Sequence, residues 1–388
     1  MEINELLSGK NIVMIVSGSI SAYRTPDIVR DLKRSGARIR VVLTDSATQI
    51  IGKETMEWAS EEPIITNLTG NMEHISLFDG DRSNTILLVC PSTYNMIGKF
   101  AGGIADDTAS TIFANALGTG IRTVIVPAMH MEMYESPILQ ENIVRLKGFG
   151  VDFVSPRVED GKAKIMWSEE IIDTIVRRGN NSRTILIISG KSEVSIDPVR
   201  SLTNRSSGYT GVCIAREAYR DGYGRIIYVG NSEHRIPYYC EFIKCEQTDD
   251  YYRIVEESIR DQKIDLIAIP AALSDFTVEK SEKKIRSEKS VNLVMKPREK
   301  LVDKMEGVMK KFNLNIPIIR FKLTDRNYVP ENSDRVTVVN LVQERPFGIS
   351  RNKYIIYDGE KKLMEKEMEK EELASILIKI GDGIIEKR

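Results

Sequence analysis

The chain has 388 residues, of which 41% are hydrophobic and 29% are charged, a composition typical of a soluble globular protein. Its 55 Lys and Arg residues balance 56 Asp and Glu residues, so the formal charge is −1. This length favours two domains. Because basic and acidic residues balance, the composition does not supply the broad basic field that nucleic-acid binding needs. We therefore expect no nucleic-acid partner.

Neither a membrane anchor nor a disulfide scaffold is indicated. The apolar runs, such as 265–273, fall far short of the ~20 residues that cross a bilayer, and the first residues lack a signal-peptide pattern. We therefore expect a cytoplasmic protein with no membrane partner. The four cysteines are too few for a disulfide scaffold. Cys240, Cys245 and His234 match no standard zinc spacing, and we predict no metal site there.

The first half alternates apolar runs with amphipathic segments. NIVMIV, RIRVVL, TILLVC and RTVIVP are typical of buried strands. YRTPDIVRDLKRSG, TASTIFANALG and QENIVRLKGFG carry apolar residues at helical spacing and end on glycine. This alternation predicts a parallel sheet covered by helices on both faces.

The loops after such strands are the places to look for a ligand, because ligands bind beyond the carboxyl ends of parallel strands. SGSIS, residues 17–21, offers hydroxyls and backbone N–H groups at a helix start, which suits a phosphate. Any tight turn from a strand into a helix also favours small residues, so SGSIS alone does not establish a phosphate site. Asp45 follows the second strand, as the ribose-binding acid of a nicotinamide enzyme does. GSISAY is not G-x-G-x-x-G, however, so that interpretation loses its main support.

Several polar side chains of the first half have a structural and a functional interpretation. His74 lies between apolar residues, where a packed histidine is the more common outcome. Asp106 and Asp107 form either an acid pair or a helix N-cap with a first-turn acid. His130, one of three histidines in the chain, follows the fourth strand at a methionine-rich turn.

A polar stretch, RRGNNSR at 177–183, interrupts the alternation, which then resumes. TILIISG, RIIYVG and DLIAIPAA are strand-like and YTGVCIAREAYRDG is helix-like, so we predict a second α/β domain from about residue 180. SGKS at 189–192 is no phosphate-binding P-loop, because Ile185 stands where that motif requires glycine. The charge-rich segment 359–385 predicts a surface helix packed by one face.

Taken together, the loops resemble two enzyme families. GSISAY, MEHISL, PSTYNMIGKFAGGIADD and PAMHMEMY resemble, in order and spacing, the flavin-mononucleotide (FMN) domain of phosphopantothenoylcysteine decarboxylases. IDPVRSLTNRSSGYTG, AALSDF, KKIRSEK and FGISRNK are similar to motifs of phosphopantothenate–cysteine ligases. The likeness covers nearly the whole chain. It implies an α/β fold with a flavoprotein-type doubly wound parallel sheet at 1–178 and a Rossmann-like ligase domain at 183–388.

The resemblance implies two steps of coenzyme A biosynthesis. The ligase domain would join 4′-phosphopantothenate to cysteine with CTP and Mg²⁺, through an acyl-cytidylate. The decarboxylase domain would remove CO₂ from 4′-phosphopantothenoylcysteine after FMN oxidises the thiol. The substrates are small molecules. Because the flavin domains of the family form trimers and its ligase domains pair, a homo-oligomer is expected.

The resemblance also implies roles for individual residues. FMN binding falls to Gly18, Ser19, Thr44, Ser92, Thr93 and Asn95. Nucleotide or substrate binding falls to Arg205, Ser206, Ser207, Gly208, Asp275 and Lys284. His74 would take part in transfer of the thiol proton. Asn204 and Arg205 would hold the acyl-cytidylate. Lys284 would offset the charge of the leaving pyrophosphate. Without the resemblance, the segment KKIRSEK around Lys284 would be interpreted as a solvated charge run.

The first domain departs from the family pattern at two places. His130 replaces an asparagine that holds the substrate carboxylate, and a protonated imidazole can also donate to a carboxylate, so we expect His130 to bind substrate. The flap, 155–167, lacks the family's cysteine, which acts in the last reductive step. Lys162 or Lys164 would then donate the proton, although both also fit solvated flap residues. The paired departures resemble the archaeal branch of the bifunctional enzymes.

Three functions stay open on the sequence. The leading one is a bifunctional enzyme, and the second is a ligase whose flavin-binding domain is a silent scaffold. The third is a non-catalytic flavoprotein subunit, against which the intact TNRSSG and AALSDF loops argue. Tyr209 replaces the lysine of the ligases' S-S-G-K, and RFKLTD replaces their G-F-x-x-E-T. These changes leave the choice between CTP and ATP open.

Overall fold

The structure is a computed structural model that describes residues 5–287, 290–325, 328–330, 335–344 and 348–387. Backbone contacts divide the chain into two compact units, with the break between Arg177 and Arg178. Each unit contains a sheet with parallel strands and helices packed on it, so the predicted α/β class is confirmed. Within the described ranges, no helix is both long and apolar enough to cross a bilayer.

The first unit is built on a five-stranded sheet in the order β2-β1-β3-β4-β6, and all its neighbouring strands are parallel. The strands are β1 (Asn11–Val16), β2 (Arg38–Leu43), β3 (Thr85–Ser92), β4 (Arg122–Pro127) and β6 (Asp152–Phe153). From β1 the chain runs to β2 on one side and later to β3 on the other. The order therefore reverses between β1 and β3, which is where a doubly wound sheet opens a crevice for a ligand.

Helices cover both faces of this sheet because their apolar residues recur at helical spacing. In order they are α1 (Thr25–Arg34), α2 (Asp45–Thr48), α3 (Lys53–Ser60), α4 (Glu73–Ser76), α5 (Tyr94–Gly102), α6 (Thr108–Gly118), α7 (Met131–Tyr134), α8 (Pro137–Gly148) and α9 (Ser168–Val176). Ile28, Val29 and Leu32 of α1 are buried, and so are Ile112 and Phe113 of α6. The four predicted strands and three predicted helices of this half are confirmed, with shifts of a few residues at their ends.

A small antiparallel sheet lies beside the end of β4. It consists of β5 (Met129–His130), β8 (Lys162–Lys164) and β7 (Arg157–Glu159), in that order. Asp160 and Gly161 form the turn between β7 and β8, with φ angles of 52° and 66°. The flap is thus a hairpin whose inner strand pairs with the segment that carries His130.

The second unit contains an eight-stranded sheet in the order β13-β12-β9-β14-β17-β18-β19-β20. The strands are β9 (Asn181–Ser189), β12 (Tyr223–Gly230), β13 (Cys240–Lys244), β14 (Leu266–Ile269), β17 (Ile318–Thr324), β18 (Val336–Leu341), β19 (Arg351–Asp358) and β20 (Lys361–Glu369). The first six pair in parallel, and β19 and β20 continue the sheet antiparallel.

Four helices pack on this sheet, and the unit also contains two small antiparallel strand pairs. The helices are α10 (Tyr209–Arg220), α11 (Thr248–Asp261), α12 (Leu301–Lys311) and α13 (Lys370–Ile385). The strand pairs are β10 (Glu193–Ser195) with β11 (Ser201–Thr203) and β15 (Phe276–Val278) with β16 (Met295–Pro297). The predicted strands and the predicted helix at Tyr209–Arg220 are confirmed.

The prediction of one helix over 359–385 is wrong in its first part. Residues Lys361–Glu369 form β20, and the helix begins only at Lys370. The strand is stabilised by backbone pairing with β19 and by the cross-strand pair of Lys353 and Glu365, whose Nζ and Oε1 lie 2.8 Å apart. A charged edge strand of this kind resists pairing with other chains. The remainder is the expected helix, with Leu373, Leu377 and Ile378 buried.

Candidate active sites

The loops beyond β1, β2 and β3 enclose a cavity of about 730 Å³. It lies at the reversal of strand order, where the fold favours ligand binding. The predicted residues that line it are Thr44, Thr93 and Asn95. Its opposite wall is formed by residues 105–109, which include both aspartates of GIADD.

Ser17, the first residue of the SGSIS loop, links the loops of this cavity through hydrogen bonds. Its Oγ donates to the Pro91 carbonyl at 2.7 Å and accepts from the Thr93 N–H at 3.1 Å. The neighbouring Ser19 donates from Oγ to the Ala128 carbonyl at 3.1 Å. These bonds connect the ends of β1, β3 and β4. The available signal was the position of Ser17 as the first residue after an apolar strand.

Gly18 permits a close approach between the first loop and α2. A Cβ atom at this position would lie 2.4 Å from Ser46 Oγ and 2.5 Å from Ser46 Cβ, which is too close for any larger residue without a shift. Thr44 caps α2 through a bond from the Ala47 N–H to its Oγ1 at 3.2 Å. The predicted glycine therefore matters for the shape of the loop, and the predicted threonine for the start of the helix.

The residues present fit a phosphate-bearing flavin. The N-terminus of α5, capped by Thr93, points its first N–H groups towards the end of β3, where an anion is stabilised. Ser92 is fully buried, and its Oγ has no hydrogen-bond partner among the described residues. A buried hydroxyl left unpaired costs about 1–3 kcal/mol, so a further partner would be favourable. The cavity is also in the size range of cofactor sites.

His74 lies on α4 and is half-buried. Its backbone carbonyl accepts a hydrogen bond from the Asn115 side-chain amide, whereas its buried Nδ1 has no partner in the described part of the chain. A histidine that serves only as packing normally has its ring nitrogens satisfied. His74 does not line the 730 Å³ cavity.

His130 is exposed and belongs to β5, where the strand register places it opposite Lys162. The Met131 N–H donates to the Gly161 carbonyl at 3.2 Å, which holds the turn of the flap beside it. His130 is the N-cap residue of α7, yet its side chain makes no capping bond. Within the described part of the chain, its imidazole makes no hydrogen bond or ion pair.

The two flap lysines differ in their surroundings. Lys164 Nζ lies 3.0 Å from Asp160 Oδ2 and 3.0 Å from Glu159 Oε2, and these hydrogen bonds raise the pKa of Lys164. A raised pKa makes an ammonium a weaker proton donor. Lys162 is exposed and has no ion pair within the described residues. Within the described residues, the lysine that faces His130 is thus the one that forms no ion pair, although its charge helps to lower the pKa of Asp160.

Asp107 is the N-cap of α6, as one of the two interpretations expected. It forms a capping box with Ser110, and Lys99 Nζ lies 2.7 Å from the carboxylates of both Asp106 and Asp107. Burial works against ionisation of Asp107, but the hydrogen bonds from Lys99 and Ser110 outweigh it and lower the pKa of this carboxyl. Asp107 is therefore held as a carboxylate by a structural lysine that also pairs with Asp106.

Cys90 does not take the place of the missing flap cysteine. It is fully buried at the end of β3, and burial raises the pKa of its thiol far above the usual range. A thiol without access to its thiolate form is unreactive.

A second cavity, of about 510 Å³, lies in the second unit at the loop 203–210. The structure brings five predicted residues together along its wall: Asn204, Arg205, Ser206, Ser207 and Gly208. Asn204 Nδ2 donates to the Leu273 carbonyl at 2.8 Å, which joins the TNRSSG loop to the AALSDF loop. Its amide oxygen is then the group left for a ligand.

Gly208 begins α10 in the left-handed region, with φ 76°. A Cβ atom there would lie 2.6 Å from the Asn231 carbonyl oxygen, so both the backbone angle and the space require glycine. This glycine brings the start of α10 next to the end of β12.

Two predicted residues do not line this cavity. Asp275 and Lys284 are both exposed and lie outside its wall. In the motifs KKIRSEK and FGISRNK, positions 288, 289 and 347 lie outside the described residues. The roles of Asp275 and Lys284 remain predictions.

Asp197, which was not predicted, anchors the segment that carries Lys284. Its carboxylate accepts from the Ile285 N–H at 3.0 Å and from the Val199 N–H at 2.7 Å. Burial works to raise the pKa of Asp197, but the N–H donors of Ile285, Val199 and Arg200 lower it to about 2. The residue is the aspartate of IDPVR, so the motif itself was the available signal.

Comparison with known proteins assigns both units to families. Residues 1–180 match the family model described as Flavoprotein, and residues 180–382 match the DNA/pantothenate metabolism flavoprotein C-terminal domain. A coenzyme A biosynthesis bifunctional protein CoaBC from Thermococcus kodakarensis is 37% identical over 77% of this chain and 75% of its own. Those from Methanocaldococcus jannaschii and Borreliella burgdorferi are 32% and 29% identical, over 88% and 96% of this chain and 82% and 98% of theirs.

These matches span both units in the order that the sequence predicted. The chain belongs to the family of bifunctional coenzyme A biosynthesis enzymes, with an N-terminal flavoprotein domain and a C-terminal ligase domain.

Proposed function

We propose that this chain joins 4′-phosphopantothenate to cysteine and then decarboxylates the product, 4′-phosphopantothenoylcysteine, to 4′-phosphopantetheine. The observation that supports this most is that each unit has its own cavity, lined by the loops that resemble the corresponding enzyme. The proposed co-substrate of the ligase is CTP with Mg²⁺. Mg²⁺ commonly binds through substrate phosphates and one or two carboxylates, so the ion would enter with the nucleotide.

In the ligase unit, the carboxylate of 4′-phosphopantothenate attacks the α-phosphorus of CTP, and pyrophosphate leaves. Asn204 and Arg205 would hold the acyl-cytidylate until the amine of cysteine displaces CMP. Lys284 would neutralise charge on the pyrophosphate as it leaves. Asp197 supports this role because its bond to Ile285 fixes the residue next to Lys284.

In the flavoprotein unit, FMN would bind through Ser19, Thr93 and the N-terminus of α5. When bound, the flavin supplies a two-electron oxidation of the substrate thiol, which makes loss of the carboxylate possible. His74 would accept the thiol proton at its free ring nitrogen. His130 would hold the carboxylate, and Lys162 would return a proton in the last step.

The test of this function is incubation of the purified chain with 4′-phosphopantothenate, cysteine, CTP and Mg²⁺, followed by mass analysis. We expect 4′-phosphopantetheine. Accumulation of 4′-phosphopantothenoylcysteine would instead indicate a ligase with a silent flavoprotein domain. Unchanged substrates would indicate a non-catalytic subunit. A parallel reaction with ATP measures the nucleotide preference.

The protein is expected to purify yellow, with FMN bound non-covalently in the first unit. Gly18→Ala should weaken FMN binding by at least ~tenfold, because the new Cβ would press on Ser46 and displace the phosphate loop. Flavin fluorescence during titration of the apoprotein measures this. Gly70→Ala is the matched control, since a Cβ at Gly70 has no neighbour within 4 Å. An unaltered FMN affinity in Gly18→Ala would contradict the proposed loop.

The two flap lysines are expected to differ. Lys162→Gln should slow formation of 4′-phosphopantetheine by roughly a hundredfold, the lower end of the usual range for loss of a general acid, whereas Lys164→Gln should change it little. The reason is that Lys162 faces His130, while Lys164 is paired with Glu159 and Asp160. Steady-state rates with synthetic 4′-phosphopantothenoylcysteine measure the difference. Equal rates in both variants would remove Lys162 from the mechanism.

We also propose that the chain acts in the cytoplasm as a homo-oligomer, with the flavin domains in trimers and the ligase domains in pairs. Ile104, in the GIADD segment, is 48% exposed and leaves apolar surface that such an assembly would cover.

A further inference from the structure

Lys370, the first residue of α13, is a buried cation that no assigned role uses. It is only 8% exposed and lines the 510 Å³ cavity together with Asn204 and Arg205. Its backbone N–H donates to the Ser350 carbonyl at 3.1 Å, which fixes the start of the helix. Within the described residues, its side chain forms no ion pair and no hydrogen bond.

Two carboxylates, those of Glu369 and Glu371, act electrostatically on the Lys370 ammonium, but in the described part of the chain neither lies within ion-pair distance of it. Its Nζ lies 5.6 Å from the centre of the Tyr209 ring. The Glu371 carboxylate accepts a hydrogen bond from the Tyr209 hydroxyl, which holds it beside that side chain. Burial raises the pKa of the Cys213 thiol to about 12, so this neighbour is neutral.

A buried ammonium without a directly bonded counterion is unfavourable, and burial lowers the pKa of Lys370 despite the attraction of Glu371 and Glu369. Such a cation is stabilised when an anion enters the cavity that it borders. The same end of the cavity contains Tyr209, the first residue of the twelve-residue helix α10. The N-terminus of a helix also favours an anion, so two independent features select the same kind of ligand.

We propose that Lys370 binds a phosphate group of a ligase substrate in this cavity. Lys370 brings a cation next to Tyr209 at the start of α10 from the last helix, 161 residues further along the chain. The inference rests on the proposed ligase function. Because both CTP and 4′-phosphopantothenate carry phosphate, titration with each ligand alone distinguishes between these two possibilities.

The test is calorimetric titration of the full chain with each ligand alone, using the wild type, Lys370→Gln and Lys370→Arg. Lys370→Gln should bind one of the two ligands at least tenfold more weakly, and Lys370→Arg, which keeps the charge, should retain most of the affinity. Lys379→Gln, an exposed lysine on the same helix, is the matched control and should bind as the wild type does. Loss with CTP alone assigns the site to a nucleotide phosphate, and loss with 4′-phosphopantothenate alone assigns it to that substrate.

Thermal unfolding without ligand separates a binding role from a structural one. The melting temperature of Lys370→Gln should equal or exceed that of the wild type, because the variant removes an unpaired buried charge. Wild-type affinity of Lys370→Gln for both ligands would overturn the inference while leaving the ligase function intact. A wild-type chain that binds neither ligand would overturn the ligase function itself.

Discussion

His130→Ala is expected to slow CO₂ release from 4′-phosphopantothenoylcysteine by on the order of a hundredfold or more. A hydrogen bond to a charged group is worth ~1.5–3 kcal/mol, and leaving the charged partner unpaired costs more, while each ~1.4 kcal/mol is tenfold in rate. The structure supports a direct role because the imidazole makes no capping bond and lies opposite Lys162 in the strand pair. Stopped-flow or steady-state CO₂ release from the synthetic substrate measures the rate.

Two comparisons make this result specific to the carboxylate. His130→Asn should be slowed less than His130→Ala, since it restores the amide that the related decarboxylases use. FMN content and cysteine ligation should stay near the wild-type values in both variants, because His130 lines neither cavity. If His130→Ala released CO₂ as fast as an active wild type, His130 would be structural and another residue would bind the carboxylate.

Asn204→Ala is expected to remove most acyl transfer to cysteine, again by on the order of a hundredfold, while FMN stays bound. The amide nitrogen of Asn204 holds the Leu273 carbonyl, and its oxygen is the group available to the acyl-cytidylate. The substitution removes both the amide nitrogen and the amide oxygen. It therefore breaks the hydrogen bond between the two cavity loops and leaves the acyl-cytidylate without this partner. Lys284→Gln should have a comparable effect on the release of pyrophosphate.

Single-turnover formation of 4′-phosphopantothenoylcysteine, followed by mass, measures both variants. Lys283→Gln is the control for Lys284, because the two exposed lysines are adjacent and only the second is assigned to the phosphates. Cysteine ligation at the wild-type rate in Asn204→Ala would show that this residue shapes the loop and no more.

Much of the fold could be predicted from the sequence because the strands that form the two sheets are continuous apolar runs. The run at 85–90, for example, is buried along its whole length in β3. The segment 361–369 could not be predicted in the same way. Its charged residues fit a helix surface or an edge strand equally well, and pairing with β19 decides between the two.

The sites were predictable to the extent that their residues stand next to one another in sequence. Asn204 and Gly208 lie in one loop, so one motif placed both in the same cavity. The difference between Lys162 and Lys164 depends on strand register, and the position of Lys370 depends on how the last helix packs. Such long-range contacts leave no local signal in the sequence.

The most direct test of the two-step account uses cysteine labelled with ¹³C in its carboxyl group. The account predicts that the purified chain, given 4′-phosphopantothenate, CTP and Mg²⁺, releases labelled CO₂ in an amount equal to the 4′-phosphopantetheine formed. Omission of the nucleotide should abolish the release, because the substrate of the second step is made in the first. Complete conversion of cysteine to 4′-phosphopantothenoylcysteine, with its label retained, would contradict the account.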